Sequence, residues 1–354
     1  MKNVENVLVL GGTGAMGKHT VYELSKNNVG VFVTSRSVRE SKDNVTYIQG
    51  NAKELDFLSE ICQRRWDAII DFMVYTIDEL NERIDLLLNS TDQYIFISSA
   101  RVYADSPLIN EESPRLLDVC QDKEYVASNE YAIAKAKEEN VLFESGYKNW
   151  TIVRPSLTYA ENRLQLGVYE KENWLYRALH GRSIVFSKDL MDRYYTLSYG
   201  KDVAEGIAQL VGKKEAIGQA FHIVIQESFQ WKEILNIYLD TLEKRTGKRP
   251  KVVLTEKCTN LRLPTAKYQV LYGRYFNRHF DNSKISRLVD TSKWVLPQEG
   301  LERCLNAFLN NPKFLAIDWQ KEALIDKAAG EWTPLWEIPG KKTKLRYLKW
   351  RIFG

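Results

Sequence analysis

The stretch VLVLGGTGAMGKH, Val7–His19, joins an apolar run to a glycine-rich turn and a segment with helical spacing. An apolar run that ends in glycine predicts a buried parallel strand. Three glycines fit G-x-G-x-x-G from Gly12, or G-x-x-G-x-x-G from Gly11. In either register, glycine allows positive φ and lets a pyrophosphate approach a helix N-terminus. The residues expected to bind a dinucleotide here are Gly11, Gly12, Thr13, Gly14, Ala15, Met16 and Gly17.

Strand-like and helix-like segments alternate along the first half of the chain. Strands are predicted at 7–10, 31–34, 45–48, 68–72, 94–98 and 151–153, with helices at 16–26, 52–62, 77–88 and 128–145. This alternation predicts an α/β fold with a Rossmann-type, doubly wound parallel sheet. We expect a dinucleotide-binding domain over 1–155, to which a later strand near 221–225 returns. We expect a smaller, helix-rich substrate region over 156–354, interleaved with the first domain.

Composition narrows the class of protein. The chain has 354 residues, 44% of them hydrophobic and 27% charged, as in ordinary globular proteins. A net charge of +4 gives little support to a nucleic-acid partner. The four cysteines are widely spaced, which indicates a reducing compartment and no metal site. No signal peptide or membrane-spanning window is recognised, so we expect a cytoplasmic protein.

The end of the second predicted strand bears on which dinucleotide is bound. An acidic residue about 20 positions beyond the glycine turn would hydrogen-bond the ribose of NAD. Here Ser35 takes that position, and Arg36 and Arg39 come after it. A hydroxyl group with guanidinium groups suits a 2′-phosphate, which favours NADP over NAD. Alternatively, both arginines are solvated, and NAD binds without an acidic residue on its ribose. Asn51, after the third strand, is expected to contact the adenine.

Three residues further along predict acid–base chemistry. Tyr131 and Lys135 are four residues apart on a predicted helix and therefore share one face. A lysine ammonium beside a phenol favours the phenolate, which makes the tyrosine useful as a general acid or base. Ser99, at the carboxyl end of the fifth strand, could hydrogen-bond the substrate oxygen that gains or loses the proton.

These residues resemble a known family, the extended short-chain dehydrogenase/reductases of the NAD(P)-dependent epimerase/dehydratase group. The matching segments are GGTGAMG, DAIID, FISSARVYA, the Tyr131/Lys135 pair, VRPSLTYA, GKDVAEGI and FDNSKI…LVDTSKW…P. The resemblance implies that Ser99, Tyr131 and Lys135 form a catalytic triad and that Lys135 holds the nicotinamide ribose. It also implies that Pro155 and Ser156 line the nicotinamide pocket.

The resemblance leaves two functional classes open. The segment VYEKENWLYRALHGRSIVF and the TSR turn look most like an atypical branch related to chloroplast stem-loop-binding proteins. Some members of that branch bind RNA and have drifted from the triad. The alternative function is therefore a non-catalytic NADP-binding sensor or RNA-binding protein of the same fold. The intact triad favours an enzyme.

Within the family, the residues after the catalytic serine indicate the reaction. Members that resemble 4,6-dehydratases carry an Asp-Glu pair where this chain has Ala100 and Arg101, so dehydration is disfavoured. The segment SSARVY is closer to the SATVY pattern of 4-epimerases. An epimerase recycles its cofactor, whereas a reductase, which an NADP pocket favours, consumes it. Both reactions remain open.

The family resemblance predicts a nucleotide-activated sugar as substrate. UDP-sugar epimerases usually place an arginine shortly before a V-x-D-V-A segment, but this chain has Tyr195 there. Arg193 is nearby, and Arg274 or Arg278 could substitute. Arg101 could contact an anionic or polar group of the substrate, or alternatively form a surface salt bridge. The candidate substrate contacts are Arg101, Tyr159, Arg193 and Arg274.

The last segment, GKKTKLRYLKWRIFG at 340–354, carries six basic residues and no acidic one. Its apolar residues have helical spacing, so 341–354 could make a peripheral contact with an anionic membrane. The alternative is a terminal helix packed on the substrate region with its lysines solvated. A homodimer is also possible.

Overall fold

The computed structural model describes residues 4–27, 29–261 and 266–354. Its strands are β1 (Asn6–Leu10), β2 (Gly30–Ser35), β3 (Val45–Gln49), β4 (Ala68–Asp71), β5 (Tyr94–Ile97), β6 (Trp150–Pro155), β7 (Leu157–Tyr159), β8 (Ile184–Ser187), β9 (Tyr194–Tyr195), β10 (Leu197–Tyr199), β11 (Gln219–Ile223), β12 (Phe229–Gln230) and β13 (Val252–Thr255). Its helices are α1 (Ala15–Ser25), α2 (Leu55–Ile61), α3 (Ile77–Asn81), α4 (Ile84–Asn89), α5 (Leu116–Val119), α6 (Lys123–Ala127), α7 (Tyr131–Glu144), α8 (Lys171–Leu179), α9 (Lys188–Met191), α10 (Gly200–Leu210), α11 (Trp231–Thr246), α12 (Lys267–Gln269), α13 (Pro297–Asn310), α14 (Trp319–Ala329) and α15 (Lys341–Phe353).

The main sheet has seven strands in the order β11-β6-β5-β4-β1-β2-β3, and every pairing is parallel. Strand β1 lies between β2 and β4, so the strand order reverses there. Its residues Val7–Leu10 are fully buried because helices cover both faces of the sheet. In such a sheet, ligands bind beyond the carboxyl ends of the strands at the reversal. The prediction of a doubly wound α/β fold is confirmed.

The prediction of one helix over 77–88 is wrong, because the chain forms two helices, α3 and α4, with a turn between them. A capping box between Thr76 and Glu79 fixes the start of α3. At the turn, Arg83 has φ −122° and its guanidinium lies 4.6 Å from the ring centroid of Tyr75. The change of direction buries Arg83 against that ring while Ile84 enters the core.

The helix predicted over 128–145 begins later than expected, at Tyr131. Asn129 has a positive φ of 50°, which interrupts the helical path after α6. The Glu130 carboxylate then accepts a hydrogen bond from the Ala132 N–H and caps α7. Tyr131 is therefore the first residue of its helix.

Residues beyond β6 form a second hydrophobic core and also return to the main sheet. Three two-stranded pairings, β7–β10, β8–β13 and β9–β12, lie outside the main sheet. Strand β11 pairs in parallel with β6, and α10 packs on α1. Among the described residues, no helix is both long and apolar enough to span a membrane.

A buried ionic network joins α8 to the last two helices. The Arg177 Nη1 lies 2.7 Å from the Glu322 Oε1 and 2.6 Å from the Asp326 Oδ1. The Tyr347 hydroxyl of α15 donates to the Asp326 Oδ2 at 2.6 Å. Burial raises the pKa of Glu322 to about 7, although Arg177 opposes that shift. Because unpaired charges in this position would be costly, the network fixes α14 and α15 on α8.

Candidate active site

The glycine turn places a free helix N-terminus at the reversal of the sheet. Gly11 has a positive φ of 69°, which L side chains rarely adopt, and its carbonyl accepts from the Gly14 N–H at 3.2 Å. Gly14 caps α1 in an extended conformation, and no side chain hydrogen-bonds the cap. The N–H groups of the first turn of α1 are therefore available to phosphate oxygens.

Two other glycines bring helix and sheet together. A Cβ on Gly12 would lie 2.8 Å from the Cγ1 atoms of Val9 and Val33. A Cβ on Gly17 would lie 2.7 Å from the Gly12 Cα. On Gly14, by contrast, a Cβ would meet only the Gly11 carbonyl oxygen, at 3.6 Å. The turn thus has an open side at Gly14, and this shape fits a pyrophosphate group.

One cavity lies on the β2 side of the turn, and we call it the β2 cavity. Gly11, Thr13, Ser35, Arg36 and Asn51 are among its lining residues. The Ser35 Oγ accepts from the Arg39 Nε at 3.1 Å and donates to the Ser37 carbonyl at 2.8 Å. Both arginines are exposed. The structure therefore brings most of the predicted adenosine contacts together; Ala15 begins α1, and its side chain is outside the described part.

The second cavity, which we call the cleft, lies on the β5–β6 side of the turn. Its lining includes Met16, Ser99, Tyr131, Pro155 and Ser156. Ser99 lies just beyond β5, and Pro155 ends β6, so both come from carboxyl ends of strands. The Ser156 Oγ donates to the Thr196 carbonyl at 2.9 Å. The structure thus gathers residues predicted for the nicotinamide and for the chemistry into one opening.

Lys135 is buried one turn below Tyr131 and has a partner that the sequence analysis missed. Its ammonium lies 2.7 Å from the Glu138 Oε2 and 4.8 Å from the ring centroid of Phe96. Glu138 is itself buried, which raises the pKa of its carboxyl group, while Lys135 opposes that shift. The signal was the i, i+3 spacing of Lys135 and Glu138, which places them on the same buried face.

Three arginines and one carboxylate, Glu170, line the cleft. The guanidinium of Arg274 is buried and donates to the Tyr195 hydroxyl at 2.7 Å and to the Gly167 carbonyl at 2.8 Å. Arg163, which the sequence analysis missed, donates to the Thr158 Oγ1 at 3.2 Å. The excess of cations gives the cleft a positive lining.

Arg101 is the cleft arginine with the fewest hydrogen bonds. Its Nη2 lies 2.8 Å from the Glu130 Oε1, although the pair lacks hydrogen-bond geometry. Its buried Nε has no hydrogen-bond partner, and its guanidinium is 5.7 Å from the Tyr131 ring centroid. A buried donor without a partner is costly, so an acceptor on a ligand would satisfy it.

The structure does not bring two of the candidate substrate contacts into the cleft. Tyr159 lies in the second hydrophobic core, with its ring 5.5 Å from that of Tyr199. Arg193 is exposed outside the cleft lining, and Arg278 donates to the Tyr103 carbonyl instead. Within the described parts of the chain, no group of His, Cys, Asp or Glu could hold a metal ion.

We expect Gly14→Ala to weaken dinucleotide binding without disturbing the fold. The methyl group has room within the protein but would occupy the open side of the turn, so affinity should fall at least about tenfold. The matched control, Gly17→Ala, should destabilise the fold by about 1–3 kcal/mol, because its methyl group would press on Gly12. Dinucleotide titration and urea unfolding measure both effects. Unchanged affinity in Gly14→Ala would place the phosphates elsewhere.

The fold is similar to that of several enzymes whose structures have been solved. An epimerase from Methanothermobacter thermautotrophicus aligns with a TM-score of 0.66 and 17% identity, over 87% of this chain and 93% of that one. UDP-glucuronic acid 4-epimerase from Bacillus cereus, in complex with UDP-glucuronic acid and NAD, gives 0.64 and 18%, over 86% and 99%. dTDP-glucose 4,6-dehydratase from Bacillus anthracis, in complex with NAD, gives 0.62 and 16%, over 87% and 97%.

Sequence comparison identifies the family. No protein of curated function matches the chain. The family model described as the NAD dependent epimerase/dehydratase family matches residues 7–225, which is more than half of the chain. The protein is therefore an enzyme that belongs to the NAD dependent epimerase/dehydratase family.

Proposed function

We propose that the protein is an NAD(P)-dependent epimerase or reductase that acts on a carbinol or ketone of a nucleotide-activated sugar. The observation that carries this proposal is the composition of the cleft. Ser99 and Tyr131 open into the same space as Pro155, Ser156 and a positively charged lining. One cavity therefore combines the proposed acid–base groups with residues that would line the nicotinamide and with cations that suit an anionic substrate.

The proposed mechanism divides the reaction between cofactor and protein. The glycine turn and the two cavities would hold a nicotinamide dinucleotide, whose chemistry would be to accept or supply the hydride. The side chain of Tyr131 would take the proton from the substrate hydroxyl as the phenolate on oxidation, and would return it as the phenol on reduction. The Ser99 hydroxyl hydrogen-bonds the same substrate oxygen. Lys135, one turn along α7 from Tyr131, is the residue we propose to hold the nicotinamide ribose, and its ammonium lies 2.7 Å from the Glu138 Oε2.

The charges of the cleft support an anionic substrate. Arginine pairs well with phosphate or carboxylate oxygens, and Arg101 lines the cleft with a buried Nε that has no hydrogen-bond partner. Arg274, whose position is fixed by Tyr195 and Gly167, adds a second cation. The relative from Bacillus cereus binds UDP-glucuronic acid, and a nucleoside diphosphate sugar has the same chemistry. We assign the diphosphate to these arginines.

Epimerisation and reduction differ in what happens to the cofactor. Ala100, which is buried, and Arg101 offer no acid next to Ser99, so elimination of water has no general acid there. An epimerase returns the hydride to the other face of the sugar ketone and leaves the cofactor unchanged. A reductase consumes one NADPH per turnover. Nicotinamide absorbance during incubation with UDP-glucuronic acid or dTDP-glucose separates the two reactions.

We propose NADP as the preferred dinucleotide. The hydroxyl of Ser35 lies at the end of β2, and two exposed arginines, Arg36 and Arg39, follow it. In an NAD site this position would carry an acidic residue that binds the ribose hydroxyls. Arg39 donates a hydrogen bond to the Ser35 Oγ. A 2′-phosphate bound beside Ser35 could accept that hydrogen bond in place of the hydroxyl. The relatives from both Bacillus species were solved with NAD, so this preference would distinguish the present chain from them.

We expect Tyr131→Phe to bind the dinucleotide and to lose turnover. Removing the hydroxyl removes the proton donor and acceptor, which should lower kcat about 10²–10⁴-fold. Steady-state kinetics and dinucleotide titration measure the two effects. Tyr22→Phe is the matched control, because this exposed tyrosine of α1 lies outside the cleft lining. Full turnover in Tyr131→Phe would exclude the mechanism, and an absence of turnover in the wild-type protein would favour a non-catalytic sensor.

We expect Ser35→Asp to reverse the dinucleotide preference. A carboxylate at this position would repel a 2′-phosphate and could accept hydrogen bonds from the ribose hydroxyls of NAD. NADPH affinity should fall at least about tenfold while NADH affinity rises. Arg245→Ala, at an exposed site on α11, lowers the net charge of the protein by the same one unit and is the control for that change. Titration with both reduced dinucleotides tests this, and an unchanged ratio of affinities would contradict the proposed NADP site.

A further inference from the structure

The outer face of α15 combines cations with exposed apolar side chains. Tyr347 is buried and points toward α14, which fixes the inner face of the helix. At 3.6 residues per turn, Leu345, Lys349 and Ile352 lie on the opposite side. Leu345 is 67% exposed, Ile352 is 52% exposed and Phe353 is 81% exposed. This outer face of α15 therefore exposes large apolar side chains next to lysines.

The cations of α15 are not neutralised by the protein. Within the described chain, none of its six basic residues forms a salt bridge, although Arg346 donates to the Gln320 Oε1 and Arg351 donates to the Glu331 carbonyl. The acidic residues beneath the helix are already engaged: Glu322 and Asp326 pair with Arg177, and Glu337 lies 3.0 Å from Arg182. The positive charge of the outer face is thus left for another molecule.

Exposed apolar side chains are also concentrated in this part of the chain. Seven of the seventeen large hydrophobic side chains that are exposed among the described residues lie between 315 and 353. They are Leu315, Trp332, Leu335, Trp336, Leu345, Ile352 and Phe353. These exposed apolar side chains lie on α15 and in the segments before it, and beside cations that form no salt bridge they make a surface that suits an anionic membrane.

We propose that α15 docks the enzyme on a membrane that contains anionic phospholipids. Leu345, Ile352 and Phe353 enter the boundary between headgroups and acyl chains, and the flanking lysines contact phosphates. The ionic network beneath Tyr347 holds the helix on the protein, so the whole enzyme is carried to the surface. RNA is a poorer fit, because the aliphatic side chains of Leu345 and Ile352 offer no stacking surface to bases.

The test is co-sedimentation of the full-length protein with phosphatidylcholine vesicles that contain or lack phosphatidylglycerol. We expect binding to the anionic vesicles and much weaker binding to neutral ones. Binding should be largely lost at about 1 M salt, where the Debye length is about 3 Å. Equal binding to both vesicles, or no binding of folded protein to anionic vesicles, would overturn the proposal. Retention of an RNA oligonucleotide without vesicle binding would also overturn it.

Two sets of variants locate the surface. In Lys341→Gln/Lys342→Gln/Lys349→Gln, partitioning should fall about 100-fold, because each cation contributes about fivefold at an anionic surface. Lys244→Gln/Lys257→Gln/Lys293→Gln removes the same charge from exposed sites elsewhere and should change partitioning little. Wild-type partitioning of the first variant, or an equal loss in the second, would contradict docking through α15.

The apolar contribution is tested separately. Leu345→Ser/Ile352→Ser should reduce partitioning at high phosphatidylglycerol content, whereas Leu108→Ser/Leu254→Ser, at exposed sites elsewhere, should not. None of these positions is in the β2 cavity or the cleft, so the thermal unfolding midpoint and dinucleotide affinity should match the wild type. Wild-type partitioning of the first pair would show that apolar insertion is absent and would overturn the proposal.

Discussion

The close contact between α1 and the turn after β1, made through Gly12 and Gly17, is the constraint on which the β2 cavity and the cleft depend. No side chain can separate the two backbones, because a Cβ on Gly17 would lie within 2.7 Å of the Gly12 Cα. This proximity aims the N-terminus of α1 across the carboxyl ends of the strands, at the point where the strand order reverses. The β2 cavity and the cleft then lie on opposite sides of one open turn, as a dinucleotide requires.

Burial of charge gives the catalytic helix its second constraint. Lys135 and Glu138 are both removed from solvent, so each is the main compensation for the other. Tyr131, one turn above, begins the helix because Asn129 and Glu130 interrupt the preceding chain. The position of the proposed acid–base group therefore results from local backbone geometry, and the buried ion pair lies one turn further along the same helix. A similar logic applies at α15, where buried pairing beneath the helix leaves its outer cations free.

The sequence predicted the main sheet well because its signals are local. Apolar runs marked the strands, and even the returning strand, expected at 221–225, lies at Gln219–Ile223. Local sequence patterns could not predict where side chains from distant segments come together. Tyr159 enters the second core because Gly300, far along the chain, leaves space beside its ring. Arg274 was among the expected substrate contacts, whereas Arg163 was missed, because it reaches the cleft through the packing of the chain beyond β6, which has no short-range signature.

The glycine turn and the two cavities are proposed to hold a nicotinamide dinucleotide for hydride transfer. Mass spectrometry of the small molecules released on denaturing the purified protein, followed by titration of any empty protein with NADPH and NADH, tests it most directly. We predict an NADP dinucleotide in the released fraction, or an empty site that binds NADPH in preference to NADH. Protein that neither releases nor binds any nicotinamide dinucleotide would contradict the account.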